Sequence, residues 1–112
     1  MKIKTSDLKD QALDWAVSTV ADLPYPIVYD EQGQEVSVSP STVWTQGGPI
    51  IERECLELEV EEGVWHSRTS FGFHYYSGKG PTPLVAAMRC YVASKLGDEV
   101  DVPDELVEAA HA

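Results

Sequence analysis

A glycine-rich segment with a single lysine lies directly before a predicted helix, and this arrangement favours the binding of an anion. Residues 77–82 read Ser-Gly-Lys-Gly-Pro-Thr. At a helix N-terminus, unpaired backbone N–H groups and the helix dipole attract negative charge. Lys79 and Thr82 are therefore candidate ligand-binding residues, and Tyr75 is a third candidate just upstream. The alternative is a flexible connector that ends in an ordinary helix cap.

This segment does not form a Walker nucleotide-binding loop. Counted from Gly72, five residues instead of four precede the Gly78–Lys79 pair. Gly80 also stands at the position of the Mg²⁺-binding serine or threonine of such a loop. Nucleotide hydrolysis by that route is not expected.

A second candidate site combines residue types that suit ligand recognition: Trp44, Gln46, Gly47, Gly48 and Arg53. The glycines would let the backbone approach a ligand closely, the indole offers a plane for stacking, and the amide can recognise a polar edge. The arginine, one turn further on, could clamp a phosphate or a carboxylate. In the alternative interpretation, the tryptophan lies in the core and the glycines form a turn.

Arg89 has mainly apolar neighbours on its predicted helix. A guanidinium in such surroundings is costly to bury without a partner. It is therefore either paired with a carboxylate such as Glu52 or directed into a cavity, where it could clamp a ligand. Both interpretations are consistent with the sequence.

Patterns typical of catalysis or metal binding are missing from the sequence. The three histidines (His66, His74, His111) and the two cysteines (Cys55, Cys90) lack zinc-ligand spacing, and no CxxC or HExxH motif occurs. We expect no enzymatic activity, no metal and no cofactor, with a Cys–His nucleophile as the weaker alternative. The cysteines are expected to be free buried thiols, one in a strand and one in a helix.

Hydrophobic spacing and turn residues predict the elements that position these candidates. We expect an α+β fold in which two principal helices pack on a small, mainly antiparallel sheet. It forms a single domain of residues 1–112 with a frayed acidic tail from about residue 104. The predicted elements are a helix from Leu8 to Val20 capped by Ser6 and Asp7, a hairpin over 27–38, one helical turn over 49–53, antiparallel strands over 55–60 and 64–68, a loop over 69–81, a helix from Thr82 to Leu96 ended by Gly97, and a short acidic helix over 103–107.

The chain is strongly acidic. Eight Lys and Arg residues against 19 Asp and Glu residues give a formal net charge of −11 in 112 residues. Such a surface repels phosphate backbones, which excludes generic binding of DNA or RNA. No apolar stretch approaches the roughly 20 residues that cross a bilayer, and residues 1–4 lack the apolar core of a signal peptide. We therefore expect a cytosolic protein without membrane association.

Three segments resemble the small phage proteins of the NinX type, a domain family of unknown function from tailed phages. They are residues 13–17, residues 39–42 running on to 44–52, and residues 82–92 continuing to Pro103. The chain departs from the family pattern over residues 69–80. The resemblance implies a phage origin and a place in the cytoplasm of the infected bacterium, and it implies no catalytic activity.

An acidic phage protein without a catalytic pattern is expected to be a binding protein. Our leading hypothesis is a counter-defence protein that sequesters a small nucleotide-type immune signal, in a homo-oligomer whose subunits share the site. The charge of −11 opposes an anionic ligand unless the few cations are gathered in one cavity. The alternative is an acidic protein-binding inhibitor that mimics nucleic acid through residues 57–62 and 98–108.

Overall fold

The computed structural model describes the backbone of residues 1–111 and the side chains of residues 1–107. The fold is α+β, as the sequence predicts. The helices are α1 (Asp10–Ala21), α2 (Trp44–Glu54), α3 (Pro83–Leu96) and α4 (Asp104–His111). The strands are β1 (Lys2–Lys4), β2 (Ile27–Tyr29), β3 (Glu35–Ser37), β4 (Glu57–Glu61), β5 (Val64–Phe71), β6 (His74–Gly80) and β7 (Glu99–Asp101).

Helix α3 is the centre of the core. The Thr82 hydroxyl accepts a hydrogen bond of 3.1 Å from the backbone N–H of Val85, and Pro83 occupies the first turn. The helix ends at Gly97, whose φ of +86° favours glycine. Helix α3 packs against β5 and β6, and α1 packs mainly against α3 and α4. The predicted α+β class with antiparallel strands is confirmed, with α3 as the helix that contacts the largest sheet.

The strands form three separate antiparallel sheets instead of one. The largest has the order β4-β5-β6, and β2 pairs with β3 in the predicted hairpin. Strand β1 pairs with β7, with Ile3 opposite Val100. This last pairing brings the N-terminal segment, including the 3-10 turn Thr5–Asp7, close to the end of α3.

The loop predicted over residues 69–81 is wrong, because these residues complete β5 and form β6. The glycines that suggested a loop allow the strand to lie directly under α3. A Cβ atom added at Gly78 would lie 2.5 Å from the backbone oxygen of Ala86 and 2.5 Å from the backbone nitrogen of Cys90. The glycines therefore serve strand–helix contact, and no flexible phosphate loop precedes α3.

The single turn predicted over residues 49–53 is also wrong. Helix α2 runs through Gly47, Gly48 and Pro49, although proline removes one helical hydrogen bond. A Cβ atom at Gly47 would collide with the backbone oxygen of Pro40 and lie 2.6 Å from Leu84 Cδ2. The close approach of these segments explains the buried glycine, and packing of Ile50 in the core favours the helix.

Three smaller expectations need correction. Helix α1 begins at Asp10 without a side-chain cap, whereas Ser6 and Asp7 lie in the preceding 3-10 turn. Cys55 is exposed at the end of α2, and only Cys90 is the buried thiol that was predicted. The predicted short acidic helix is present from Asp104, and because it buries Val107 the tail is not frayed at residue 104. The expected fraying at Ala112, and at the side chains from 108 onward, lies outside the described residues.

Among the residues that the structure describes, no helix combines the length and apolarity needed to cross a membrane.

Candidate anion-binding groove

The Arg89 side chain is fixed by two backbone carbonyl groups from different parts of the fold. Its Nε donates a hydrogen bond of 2.7 Å to the carbonyl oxygen of Leu8, and its Nη1 donates one of 2.8 Å to that of Lys79. Burial lowers the pKa of Arg89, while the charges of Asp7 and Asp10 act in the opposite direction. The guanidinium is thus oriented before any ligand arrives.

No carboxylate pairs with Arg89 among the described side chains, so the expected partner Glu52 does not fill this role. Two of the five guanidinium N–H groups are used by the two carbonyl bonds. The other three N–H groups have no acceptor among the described residues, and Arg89 lines three surface depressions. Of the two interpretations of Arg89, the geometry matches the one in which it faces a cavity.

Three adjoining depressions meet at Arg89 and Ser6, and we call them together the Arg89 groove. The lysine arm, of about 600 Å³, is lined by Lys2, Ile3, Lys4, Ser6, Asp7, Leu8, Lys9, Ala12, Arg89 and Val107. The strand arm, of about 510 Å³, is lined by Ser6, Gly63, Val64, Ser77, Gly78, Lys79, Gly80, Pro81 and Arg89. The acidic arm, of about 350 Å³, is lined by Lys4, Thr5, Ser6, Ser77, Gly78, Arg89, Ala93, Asp98 and Glu99.

Five of the eight Lys and Arg side chains line this groove: Lys2, Lys4, Lys9, Lys79 and Arg89. Within the described part of the chain, none of the five has a carboxylate oxygen within 4.0 Å. The other three are paired. Arg53 and Lys95 contact Glu54 at 3.2 and 3.1 Å, and Arg68 contacts Glu59 at 2.7 Å. The cations without a carboxylate partner are therefore those that share one groove.

The second candidate site of the sequence lies elsewhere. The Gln46 side chain joins α2 to the chain before it. Its Oε1 accepts a hydrogen bond from the backbone N–H of Ser39, and its Nε2 donates one to the carbonyl oxygen of Ser37. Gln46 and Arg53 line a separate, mainly apolar depression of about 320 Å³. Arg53 also donates to the Tyr91 hydroxyl at 3.3 Å. These polar groups have structural partners, which leaves them less available to a ligand.

The remaining predicted residues are not gathered by the fold. Trp44 is 54% exposed at the first turn of α2, and Gly48 lies one turn on, facing its ring. Tyr75 is 85% exposed near the tip of the β5–β6 hairpin. The Thr82 hydroxyl is used as a helix cap. Of the residues proposed from the sequence, only Lys79 and Arg89 line the Arg89 groove.

Sequence reasoning missed the N-terminal contribution to the groove. Lys2 and Lys4 alternate with the inward-facing Ile3 on β1, and Lys9 follows the 3-10 turn. The alternation was a usable signal for a half-buried strand. The partner strand β7 is nearly a hundred residues away along the chain, so no local pattern placed the lysines beside Arg89.

The acidic segment over residues 57–62 forms the exposed face of an edge strand. Glu57, Glu59 and Glu61 are exposed on β4, which is an outer strand of its sheet. Arg68 on β5 lies 3.9 Å from Glu57 and 2.7 Å from Glu59. Part of the negative charge is thus neutralised within the protein. No group of three or more His, Cys, Asp or Glu side chains suited to a metal ion occurs within the described residues.

Comparison with known proteins gives one family. The family model described as bacteriophage P22 NinX matches residues 4–95, which is most of the chain. No curated protein matches the sequence.

Proposed function

Since the chain belongs to the bacteriophage P22 NinX family, we propose that it is a phage counter-defence protein that binds and sequesters a small nucleotide-type immune signal in the infected bacterium. One observation carries the proposal. Five cations line the Arg89 groove in a protein whose net charge is −11, and none of them has a carboxylate oxygen within 4.0 Å among the described side chains. A phosphate-bearing ligand would supply the missing negative charge.

The imbalance of charges makes this grouping informative. With 19 acidic residues against eight basic ones, carboxylates are abundant partners for any cation. The described lining of the groove holds five cations and three carboxylates (Asp7, Asp98 and Glu99), which gives it a positive balance of charge. An anion bound among the cations would offset this local charge.

The same charges favour a small ligand over a polymer. A nucleotide that lies within the groove contacts the cations, whereas a long phosphate backbone would extend over the acidic surface and be repelled. The expectation that the protein does not bind nucleic acid is consistent with this picture.

Because Lys2, Lys4 and Lys79 are exposed, a second copy that covers the groove would enclose the ligand further, and a homo-oligomer is therefore part of the proposal.

Isothermal titration with a panel of cyclic and ADP-ribose-type nucleotides tests the proposal. We expect at least one member to bind in the micromolar range or tighter. Replacement of Lys4 and Lys79 by alanine should weaken that binding at least tenfold. The matched control is Lys95→Ala, since Lys95 pairs with Glu54 outside the groove. The absence of heat with every member at micromolar protein would contradict the proposal.

A second candidate function is an acidic protein-binding inhibitor, for which the exposed glutamates of β4 are the supporting observation. Its complex with a basic host protein should weaken steeply with salt, because exposed charges are screened. The test is capture from host lysate at low and high salt, with Glu57→Gln/Glu61→Gln as the comparison. Failure to recover any host protein at low salt would count against this alternative.

A further inference from the structure

We propose that the ligand of the Arg89 groove is a nucleotide with at least two separated phosphate groups, recognised by phosphate number and spacing and hardly by its base. This inference rests on the proposed function. It deepens that function by stating which chemical features of the ligand the groove can distinguish.

The positive charges lie on both sides of the Arg89 guanidinium. The hydrogen bonds to Leu8 and Lys79 hold this planar group between the N-terminal segment and β6. Lys2, Lys4 and Lys9 line the lysine arm on one side, and Lys79 lines the strand arm on the other. The two sets come from different segments and line different arms, so two phosphates at opposite ends of a nucleoside can contact one set each.

The acidic arm restricts where the phosphates can lie. Asp98 and Glu99 line it and offset the charges of Lys4 and Arg89. By contrast, Asp7 is the single carboxylate beside the three lysines of the lysine arm, and no described carboxylate lines the strand arm. Carboxylates repel a phosphate but accept hydrogen bonds from hydroxyl groups. The sugar hydroxyls of the ligand therefore belong in this arm, and the phosphates belong in the other two.

No aromatic side chain is among the described residues that line the three arms. Stacking on an aromatic ring is a common way for proteins to hold a base. The apolar surface of the lysine arm consists of aliphatic groups such as Ile3, Leu8 and Val107, which contact any base without a directional preference. Trp44 and Tyr75, the aromatic candidates from the sequence, lie outside the groove. Base identity should consequently have little effect on affinity.

Two titration series test the inference by calorimetry on the full chain. The first compares AMP, ADP and adenosine 3′,5′-bisphosphate, and the second compares the 3′,5′-bisphosphates of adenosine, guanosine and uridine. We expect the adenosine bisphosphate to bind at least tenfold more tightly than AMP and more tightly than ADP, with less than a threefold spread across bases. Equal affinity for AMP and the bisphosphate, or a base preference above tenfold, would overturn the inference while leaving nucleotide binding intact. No binding by any member of either series would overturn the proposed function as well.

Single substitutions then locate the two phosphates. Lys9→Ala and Lys79→Ala should each weaken binding of the adenosine bisphosphate about tenfold, and the double variant about a hundredfold, since each removes a charge from a different arm. Lys95→Ala should bind like the parent chain. A double variant no weaker than either single variant would show that both lysines serve one phosphate and would overturn the inference.

Discussion

The Nη1 atom of Arg89 donates a hydrogen bond of 2.8 Å to the carbonyl oxygen of Lys79. This bond places two cationic residues from α3 and β6 along the same groove. Arg89 also holds the carbonyl oxygen of Leu8 at 2.7 Å, which brings the N-terminal lysines to the same place. One side chain thus organises the structure of the groove and also supplies part of its charge.

Replacement of Arg89 by alanine should affect both stability and binding. It removes two hydrogen bonds from a charged donor and leaves the carbonyl of the buried Leu8 without its partner. Because the side chain is only partly buried, we expect the free energy of unfolding to fall by about 2 kcal/mol, together with loss of nucleotide binding. Thermal melting and calorimetry of Arg89→Ala measure the two effects. Arg89→Lys keeps the charge and can remake one of the bonds, so its melting temperature and its affinity should lie between those of Arg89→Ala and the parent. An unchanged melting temperature for Arg89→Ala would contradict the structural part of this role.

The two adjacent glycines of α2 should differ in how strongly alanine destabilises the fold. At Gly47 an added Cβ would collide with the Pro40 carbonyl, so Gly47→Ala should destabilise the fold by about 1–3 kcal/mol. At Gly48 the nearest atom, Trp44 Cε3, would lie at an ordinary 3.8 Å. That distance does not include the neighbouring Pro49, whose Cδ would crowd a Cβ on the preceding helical residue. Gly48→Ala should therefore change the free energy of unfolding by less than about 0.5 kcal/mol, because this crowding offsets the gain in helix propensity. Urea unfolding of both variants measures this contrast, and equal losses at the two positions would argue against the helical packing of α2.

Asp14 should make stability depend on pH. It is 7% exposed, its Oδ1 accepts a hydrogen bond of 2.9 Å from the Ser41 N–H, and burial raises its pKa above the ordinary 3.8. The folded protein then binds the proton more tightly than the unfolded chain does. This group therefore lowers stability progressively as pH rises from about 3.8 through its folded-state pKa.

Asp14→Asn tests this dependence, because its amide oxygen can still accept from Ser41. In urea unfolding at several pH values, the variant should be at least as stable as the parent at pH 7. The difference in free energy of unfolding between Asp14→Asn and the parent should become smaller as the pH is lowered. Asp14→Ala is the control and should lose about 1–3 kcal/mol, since the Ser41 N–H then has no acceptor. A stability advantage of Asp14→Asn that grows as the pH falls would contradict the assigned sign.

The two thiols should differ in reactivity. Cys55 is exposed, whereas Cys90 is 0% exposed, and burial raises the pKa of its thiol. Since the thiolate is the reactive form, Ellman's reagent should label one thiol per native chain quickly and the second only after unfolding. Cys55→Ser should abolish the fast phase. Two equally fast thiols in the native parent would show that Cys90 is not protected by the core.

The helices and strands that were predicted correctly from the sequence are those whose local residue pattern matches the contacts they make in the fold. Helix α3 combines a threonine cap, an early proline, an apolar interior and a terminal glycine, and each signal matches the contact it makes. Helix α2 and strand β6 were missed because Gly47, Gly48 and Gly78 normally indicate turns. Two of these, Gly47 and Gly78, are required by close backbone approach from other segments, and local reasoning does not include such tertiary contacts.

The candidate site was predicted only in part for the same reason. Lys79 and Arg89 were predicted as site residues because Lys79 lies between two glycines and Arg89 has mainly apolar neighbours on its helix. Lys2, Lys4 and Lys9 did not, since their importance depends on the pairing of β1 with β7 and on the contact between Leu8 and Arg89. Trp44 and Gln46 have residue types that suit a ligand, but one is exposed away from the groove and the other bridges the backbone at Ser37 and Ser39.

Amide chemical shifts of the ¹⁵N-labelled protein, recorded during titration with adenosine 3′,5′-bisphosphate, test the central claim most directly. If the Arg89 groove is the binding site, the largest changes will fall on residues 2–9, on residues 77–80 and on the Arg89 Nε–H, with little change over residues 44–53. Changes confined to residues 44–53, or no change at millimolar ligand, would contradict the assignment of the groove as a nucleotide site.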